Sequence, residues 1–261
     1  MERSIGIIGC GNMGFALLFG LHKARRPLIV WDADAKKISG SSKPGLRIAE
    51  SNVELVLKAS HIILAVKPQQ MADLLEEIRP HLRRPSLVVS IAAGIPTRWI
   101  EKRLERGVHV VRAMPNLPAQ NFKGATAICA GSEADQRDLR VVAAWFREVG
   151  GVVTVPENQM NAVTAISGSG PAYFFYLMEQ MIATAKKLGL SKETAQALIA
   201  RTAEGAGLTA RDRDFSQLRA AVTSKGGTTE AAFKVFERKG LGNILQEGIR
   251  AAARRAKELS S

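Results

Sequence analysis

From residue 4 to about residue 155 the chain repeats one pattern: short apolar runs rich in β-forming residues, set apart by stretches long enough for a helix. Ser4–Ile8, Pro27–Trp31, His61–Val66, Ser86–Ile91 and Val108–Arg112 read as strands. Gly124–Ala130, a helical stretch Glu133–Val149 and a last strand Gly151–Val155 complete the series. Ile62-Ile63-Leu64-Ala65-Val66 and Leu87-Val88-Val89 show no polar alternation, as expected of strands covered on both faces. The order predicts an α/β half with a parallel, doubly wound sheet between helices.

At Glu157 the pattern changes. β-rich runs vanish, and long segments containing Ala, Leu and Met continue to the end. The expected division is therefore 1–156 for the sheet domain and 157–261 for an all-α domain. Within the latter, Ala172–Leu188 carries Tyr173, Phe174, Phe175, Tyr176, Leu177, Met178, Met181 and Ile182, apolar on nearly every side. A helix without a polar face must be covered all round. A small helical domain has little interior for that, so a second copy of the chain is expected to supply part of the cover.

Composition narrows the class. The chain has 261 residues, 46% hydrophobic and 23% charged, which is ordinary globular usage and excludes wholesale disorder, collagen and coiled-coil arrays. At about 150 residues per domain, one large domain or two modest ones are expected. Cys10 and Cys129 lack metal-ligand spacing and read as reduced thiols of a cytoplasmic protein. No apolar run approaches the roughly 18 residues of a bilayer span, and Met1-Glu2-Arg3-Ser4 does not open a secretory leader. Thirty-seven Lys and Arg against 24 Asp and Glu give +13, which raises nucleic acid, anionic membranes and anionic small molecules as partners. The basic residues are scattered, clustering only at Arg25-Arg26, Arg83-Arg84 and Arg254-Arg255, without interleaved aromatics. A solvated basic surface is expected, with neither a nucleic-acid face nor a membrane partner.

The chemistry-bearing residues lie in turns. Gly9-Cys10-Gly11-Asn12-Met13-Gly14 follows the strand Ile5-Gly6-Ile7-Ile8 and opens the apolar run Phe15–Leu21. This is the strand, turn and helix context in which G-x-G-x-x-G holds a dinucleotide of the Rossmann type. The helix N-terminus offers N–H groups and a positive dipole end to phosphates. Asp32 ends the second strand, 18 residues after Gly14, where an acid accepts ribose hydroxyls and repels a 2′-phosphate. That leans to NADH, although Lys36 and Lys37 follow and could neutralise a phosphate. Asp32 could equally cap a helix starting near Ala35. Three further loops, Ala65-Val66-Lys67-Pro68, Ile91-Ala92-Ala93-Gly94 and Arg112-Ala113-Met114-Pro115-Asn116, follow strands where doubly wound sheets bind ligands, and are expected beside the nicotinamide.

Two more turns precede helices in the second half. They are Ser167-Gly168-Ser169-Gly170-Pro171-Ala172-Tyr173 and Thr223-Ser224-Lys225-Gly226-Gly227-Thr228-Thr229-Glu230. Either could cap its helix or form an anion nest that holds a carboxylate.

These strings, in this order and spacing, resemble pyrroline-5-carboxylate reductases over essentially the whole chain. The resemblance implies reduction of the cyclic imine Δ1-pyrroline-5-carboxylate to L-proline with NADPH or NADH, in a homodimer that can assemble into a decamer. It implies cofactor contacts at Ile8, Gly9, Cys10, Gly11, Asn12, Met13 and Gly14, at Asn52, at Ala65, Val66, Lys67 and Pro68, and at Ile91, Ala92 and Ala93. It implies substrate contacts at Glu157, Ser224, Thr228 and Thr229, with the Gly226-Gly227 backbone gripping the imino-acid carboxylate. The chain departs from the pattern at Lys225, usually proline, and at Ala220, frequently aspartate.

The cofactor would carry the hydride, leaving orientation and electrostatics to the protein. Thr229 is the candidate for a hydrogen bond to the ring nitrogen. Its hydroxyl is too weak an acid to be the proton source, which falls to water or to an imine protonated beforehand. Two rival readings compete with this one. A β-hydroxyacid-type dehydrogenase needs a lysine about one helical turn beyond such a glycine cluster, and none follows Gly170 before Lys186. A non-catalytic dinucleotide-binding protein would leave the turns of the second half without a purpose.

Overall fold

The computed structural model describes residues 4–38 and 45–259. Met1–Arg3, part of the stretch read above for a leader, lie outside the described residues. The strands are β1 (Ile5–Ile8), β2 (Leu28–Trp31), β3 (Leu46–Ile48), β4 (His61–Leu64), β5 (Ser86–Ser90), β6 (Val108–Met114), β7 (Gly124–Ala130) and β8 (Gly150–Thr154). They form one sheet in the order β3-β2-β1-β4-β5-β6-β7-β8. Seven of the expected strands are present as β1, β2 and β4–β8. The short edge strand β3 was not anticipated, because Leu46-Arg47-Ile48 is too brief and too polar at its centre to stand out.

Helices cover both faces, as the unbroken apolar strands require. Successive strand residues point to opposite sides. Ile7, Val30, Ile63 and Val89 therefore pack with Leu17 and Leu21 of α1 (Asn12–Lys23) and, further along the chain, Leu139 and Phe146 of the helix Gln136–Arg147. Ile8, Ile62, Leu64 and Val88 pack on the other face with Leu55 of α2 (Asn52–Lys58), Leu75 of α3 (Met71–Ile78) and Ile100 of α4 (Thr97–Leu104). The helix Gln136–Arg147 is α5, and it links β7 to the parallel strand β8.

One pair departs from the otherwise parallel sheet: β6 and β7 run antiparallel. Residues 115–123 between them hold only a short 3-10 turn, Leu117–Asn121. A parallel return needs a dozen or more residues.

The chain divides into two compact units, Met1–Pro171 with Ala252–Ser261, and Ala172–Ala251. In the first, α6 (Met160–Val163) continues into a π-helical turn, Thr164–Gly168. The second unit is built from α7 (Gly170–Lys187), α8 (Lys192–Thr209), α9 (Phe215–Ala221), α10 (Thr228–Arg238) and α11 (Leu241–Glu258), the first and last of which extend beyond it. Its buried residues are Ala195 and Ile199 alone, while Phe174 is 64%, Phe215 74% and Leu188 78% exposed. Among the described residues, no helix is long and apolar enough to cross a membrane, and no cluster of three acidic, His or Cys side chains could hold a metal.

Candidate functional site

The glycine turn occupies the carboxyl edge of β1. Gly9 has φ +98, and a Cβ there would lie 2.7 Å from the Ala65 carbonyl oxygen. A Cβ at Gly14 would strike the Gly9 carbonyl. Both positions therefore exclude larger residues, one by conformation and one by contact. Gly11 differs, because open space adjoins the place of its Cβ. It is the N-cap of α1 and offers no side-chain bond to the first-turn N–H groups. A backbone cradle with room above Gly11 fits a pyrophosphate on a helix N-terminus. Ile8 gives its side chain wholly to the core, and its carbonyl accepts the Ala65 N–H at 2.8 Å. Met13 is half-buried against the core, and Asn12 is exposed.

Asp32 lies beside this turn. Its Oδ2 accepts the Cys10 N–H at 2.6 Å; its Oδ1 accepts the Asp34 N–H at 2.8 Å and pairs with Lys37 Nζ at 3.2 Å. Burial pushes the carboxyl up, but the Cys10 and Asp34 N–H groups and Lys37 together hold it below its ordinary value. The capping alternative falls to another residue: Asp34, not Asp32, is the N-cap of the 3-10 turn Ala35–Lys37 and accepts the Lys36 N–H. Burial, reinforced by the Asp32 charge, pushes the Cys10 thiol up to about 12.

Neighbouring loops converge on the same edge. Ala65 touches the glycine turn, and the Ile91 N–H donates to the Leu64 carbonyl at 3.1 Å. Ala92 is buried and donates its N–H to Ser90 Oγ at 3.3 Å, while Val66, Pro68 and Ala93 are half-buried and Lys67 is exposed. Asn52, at the start of α2 and 8% exposed, donates Nδ2 to Glu77 at 2.7 Å. Its buried Oδ1 has no partner among the described residues. An unmatched acceptor of this kind fits a ligand that brings a donor.

The sequence did not reveal what Glu157 does within the first unit. Its carboxylate accepts the Thr97 N–H at 2.7 Å and the Thr97 hydroxyl at 2.5 Å, and lies 3.6 Å from Nη1 of Arg112. Arg112 is 2% exposed, and its Nε and Nη2 have no partner among the described residues. The group joins β6, the start of α4 and the segment after β8. No spacing in the sequence marks it, because its members are brought together only by the sheet order.

The Ser167–Pro171 motif is only partly a helix start. Pro171 does sit in the first turn of α7, but the residues before it wind into the π turn, with the Ser169 N–H bonded to the Thr164 carbonyl at 2.8 Å. The Ser167 hydroxyl donates to the Val163 carbonyl at 3.2 Å. Asn116 Nδ2 donates to the Ser167 carbonyl at 3.1 Å while Oδ1 accepts the Ala125 N–H at 2.8 Å. Two strings noted separately in the sequence thus touch.

In the second unit, Gly227 caps α10 and Gly226, with φ +75, makes the turn before it. Thr228 and Thr229 form the first turn of the helix. The hydroxyls of Ser224 and Thr229 have no hydrogen-bond partner among the described residues. The glycine N–H groups are engaged, Gly227 with the Ser224 carbonyl at 3.0 Å and Gly226 with Glu230 Oε2 at 3.0 Å. A carboxylate from the chain itself therefore lies on this turn, held also by Lys234 at 3.1 Å.

Comparison with known proteins agrees with both halves. Residues 157–259 match the family model for pyrroline-5-carboxylate reductase dimerisation, and residues 4–94 match that for NADP oxidoreductase, coenzyme F420-dependent. The pyrroline-5-carboxylate reductase of Pseudomonas aeruginosa is 39% identical over 265 residues, covering 98% of this chain and 96% of that protein. A solved pyrroline-5-carboxylate reductase from Coxiella burnetii superposes with a TM-score of 0.93 at 38% identity, covering 100% of both chains. A Plasmodium falciparum pyrroline carboxylate reductase solved with NADP bound gives 0.87 at 28% identity, again over 100% of both.

Proposed function

The chain belongs to the pyrroline-5-carboxylate reductase family, and from that premise we propose how its own residues share the work. The reaction is the reduction of Δ1-pyrroline-5-carboxylate to L-proline with NADPH or NADH, the closing step of proline biosynthesis. The bound dinucleotide supplies the hydride. The observation that carries the reading is the glycine turn itself, with Gly9 and Gly14 forced by sterics and Gly11 left open.

The turn and the α1 N-terminus meet the pyrophosphate charge. Asn52 Oδ1 offers its unmatched acceptor, and the loops 65–68 and 91–93 present small residues and backbone to the nicotinamide end. On the substrate side, Ser224 and Thr229 supply hydroxyls and Thr228 a first-turn N–H to the imino-acid carboxylate. Engagement there requires Glu230 to release the Gly226 N–H. Thr229 then holds the ring nitrogen by a hydrogen bond, with the proton drawn from water or already present on the imine. Lys225 adds positive charge where an anionic substrate arrives. The dehydrogenase alternative is not favoured, since no lysine follows Gly170 before Lys186.

The assembly begins with the homodimer, whose contact is the exposed apolar face of the second unit, and extends to a decamer. Residence is cytoplasmic, consistent with two buried free thiols. Loss of reduced-nicotinamide absorbance on adding the imine to full-length protein tests the reading. Thr229→Ala is expected to lower turnover by about a hundredfold while dinucleotide affinity stays within a factor of about two. Equal loss of both would remove Thr229 from the reacting centre.

A further inference from the structure

The carboxylate of Asp32 is nearly fully engaged before any ligand arrives. An ionised carboxylate offers about four lone-pair positions. Three are filled here, by the Cys10 N–H, the Asp34 N–H and Lys37 Nζ. One acceptor position is left on Oδ2, and the side chain is only 8% exposed. What remains suits a neutral hydroxyl. A phosphate ester needs donors and unpaired positive charge, and among the described residues the cation in contact with Asp32, Lys37, is already bound to it. A 2′-phosphate would bring a charge of about −1.5 to −2 to an ion pair that has no net positive charge to offset it, with its oxygens set against the acceptor atoms of Asp32.

We propose that Asp32 makes this chain select NADH over NADPH, with Lys37 acting as its neutralising partner and not as a phosphate ligand. The proposal rests on the reading of the glycine turn as a dinucleotide site. It separates this chain from the Plasmodium falciparum relative, which was solved with NADP bound. Because Oδ2 also holds the Cys10 N–H, the discriminating carboxylate and the turn form one unit. Any movement that frees Asp32 for a phosphate also loosens the cradle beneath the pyrophosphate.

The test is direct binding. Full-length protein is titrated with NADH and with NADPH in the absence of imine, following nicotinamide fluorescence. Wild type is expected to bind NADH at least about tenfold more tightly. Asp32→Ser, which removes the charge, is expected to bring the two dissociation constants within about threefold or to invert them, by tightening NADPH and weakening NADH. Asp32→Asn keeps the side-chain shape and decides the matter should the serine variant fail to fold. Equal or tighter wild-type binding of NADPH overturns the proposal, as does a ratio unmoved in a folded variant. Failure of wild type to bind either dinucleotide overturns the site reading itself, and the selectivity with it.

Discussion

Cys10 sits in the middle of the glycine turn, and burial holds its thiol in the neutral form. Burial, with Asp32 beside Cys10 and Glu157 near Cys129, raises both thiols from an ordinary 9.0 to about 12. A raised pKa favours the neutral form in the folded state. The stability linked to it is complete below the unfolded value and is lost as pH rises from 9.0 towards about 12. Denaturant midpoints are expected to fall across that window, and to fall less in a Cys10→Ala, Cys129→Ala double variant. Glu157 gives a second residue-level test. Glu157→Ala takes an acceptor from Thr97 and leaves Arg112 buried without a counter-charge, a loss of about 3 kcal/mol, read from the urea midpoint. An unchanged midpoint with a raised KM for the imine would favour the substrate contact that resemblance implied for Glu157. Gly9, Gly14 and Asp32 were legible in the sequence because spacing along one strand, turn and helix carries their meaning. The tie between Thr97 and Glu157 was not, since it spans 60 positions and depends on where two loops arrive.

The start of α10 shows what an element adds to its residues. Glu230 lies in the first turn of the helix, and its carboxylate occupies the Gly226 N–H that the proposed reading gives to the substrate carboxylate. Glu230→Gln keeps the shape and removes the charge, so the KM for the imino acid is expected to fall about threefold with little change in kcat. Steady-state kinetics at fixed dinucleotide checks this, and an unaltered or higher KM would contradict it. Strands β4 and β5 were readable as elements because unbroken apolar runs have few other homes. The direction of β7 was not, because apolarity says nothing about which way a strand runs. The shortness of residues 115–123 was the available clue. The π turn is not legible for a related reason: Ser-Gly-Ser-Gly-Pro signals a helix boundary, but not that the preceding turn winds wide.

At the scale of the molecule, a sheet domain with two packed faces contrasts with a helical unit that buries only Ala195 and Ile199. That unit cannot hide its own apolar surface, and the family match assigns residues 157–259 to dimerisation. Folding of the unit is therefore expected to be coupled to association. The midpoint of its thermal transition should climb by several degrees per tenfold increase in protein concentration, followed by circular dichroism. A midpoint independent of concentration would mean that the unit is stable alone. The all-round apolar character of Ala172–Leu188 was legible in the sequence; which surface covers it was not, because the pattern of one helix does not name its partner.

The exposed face of α7 has a genetic corollary. Since recruitment of a second copy depends on the helical half, a version disabled in its glycine turn would still enrol healthy siblings. In a cell making equal amounts of both, random mixing would place about half of all chains in hybrid pairs. Lesions of the turn would then be carried into hybrid pairs, whereas lesions that abolish pairing would leave the healthy chains to pair among themselves.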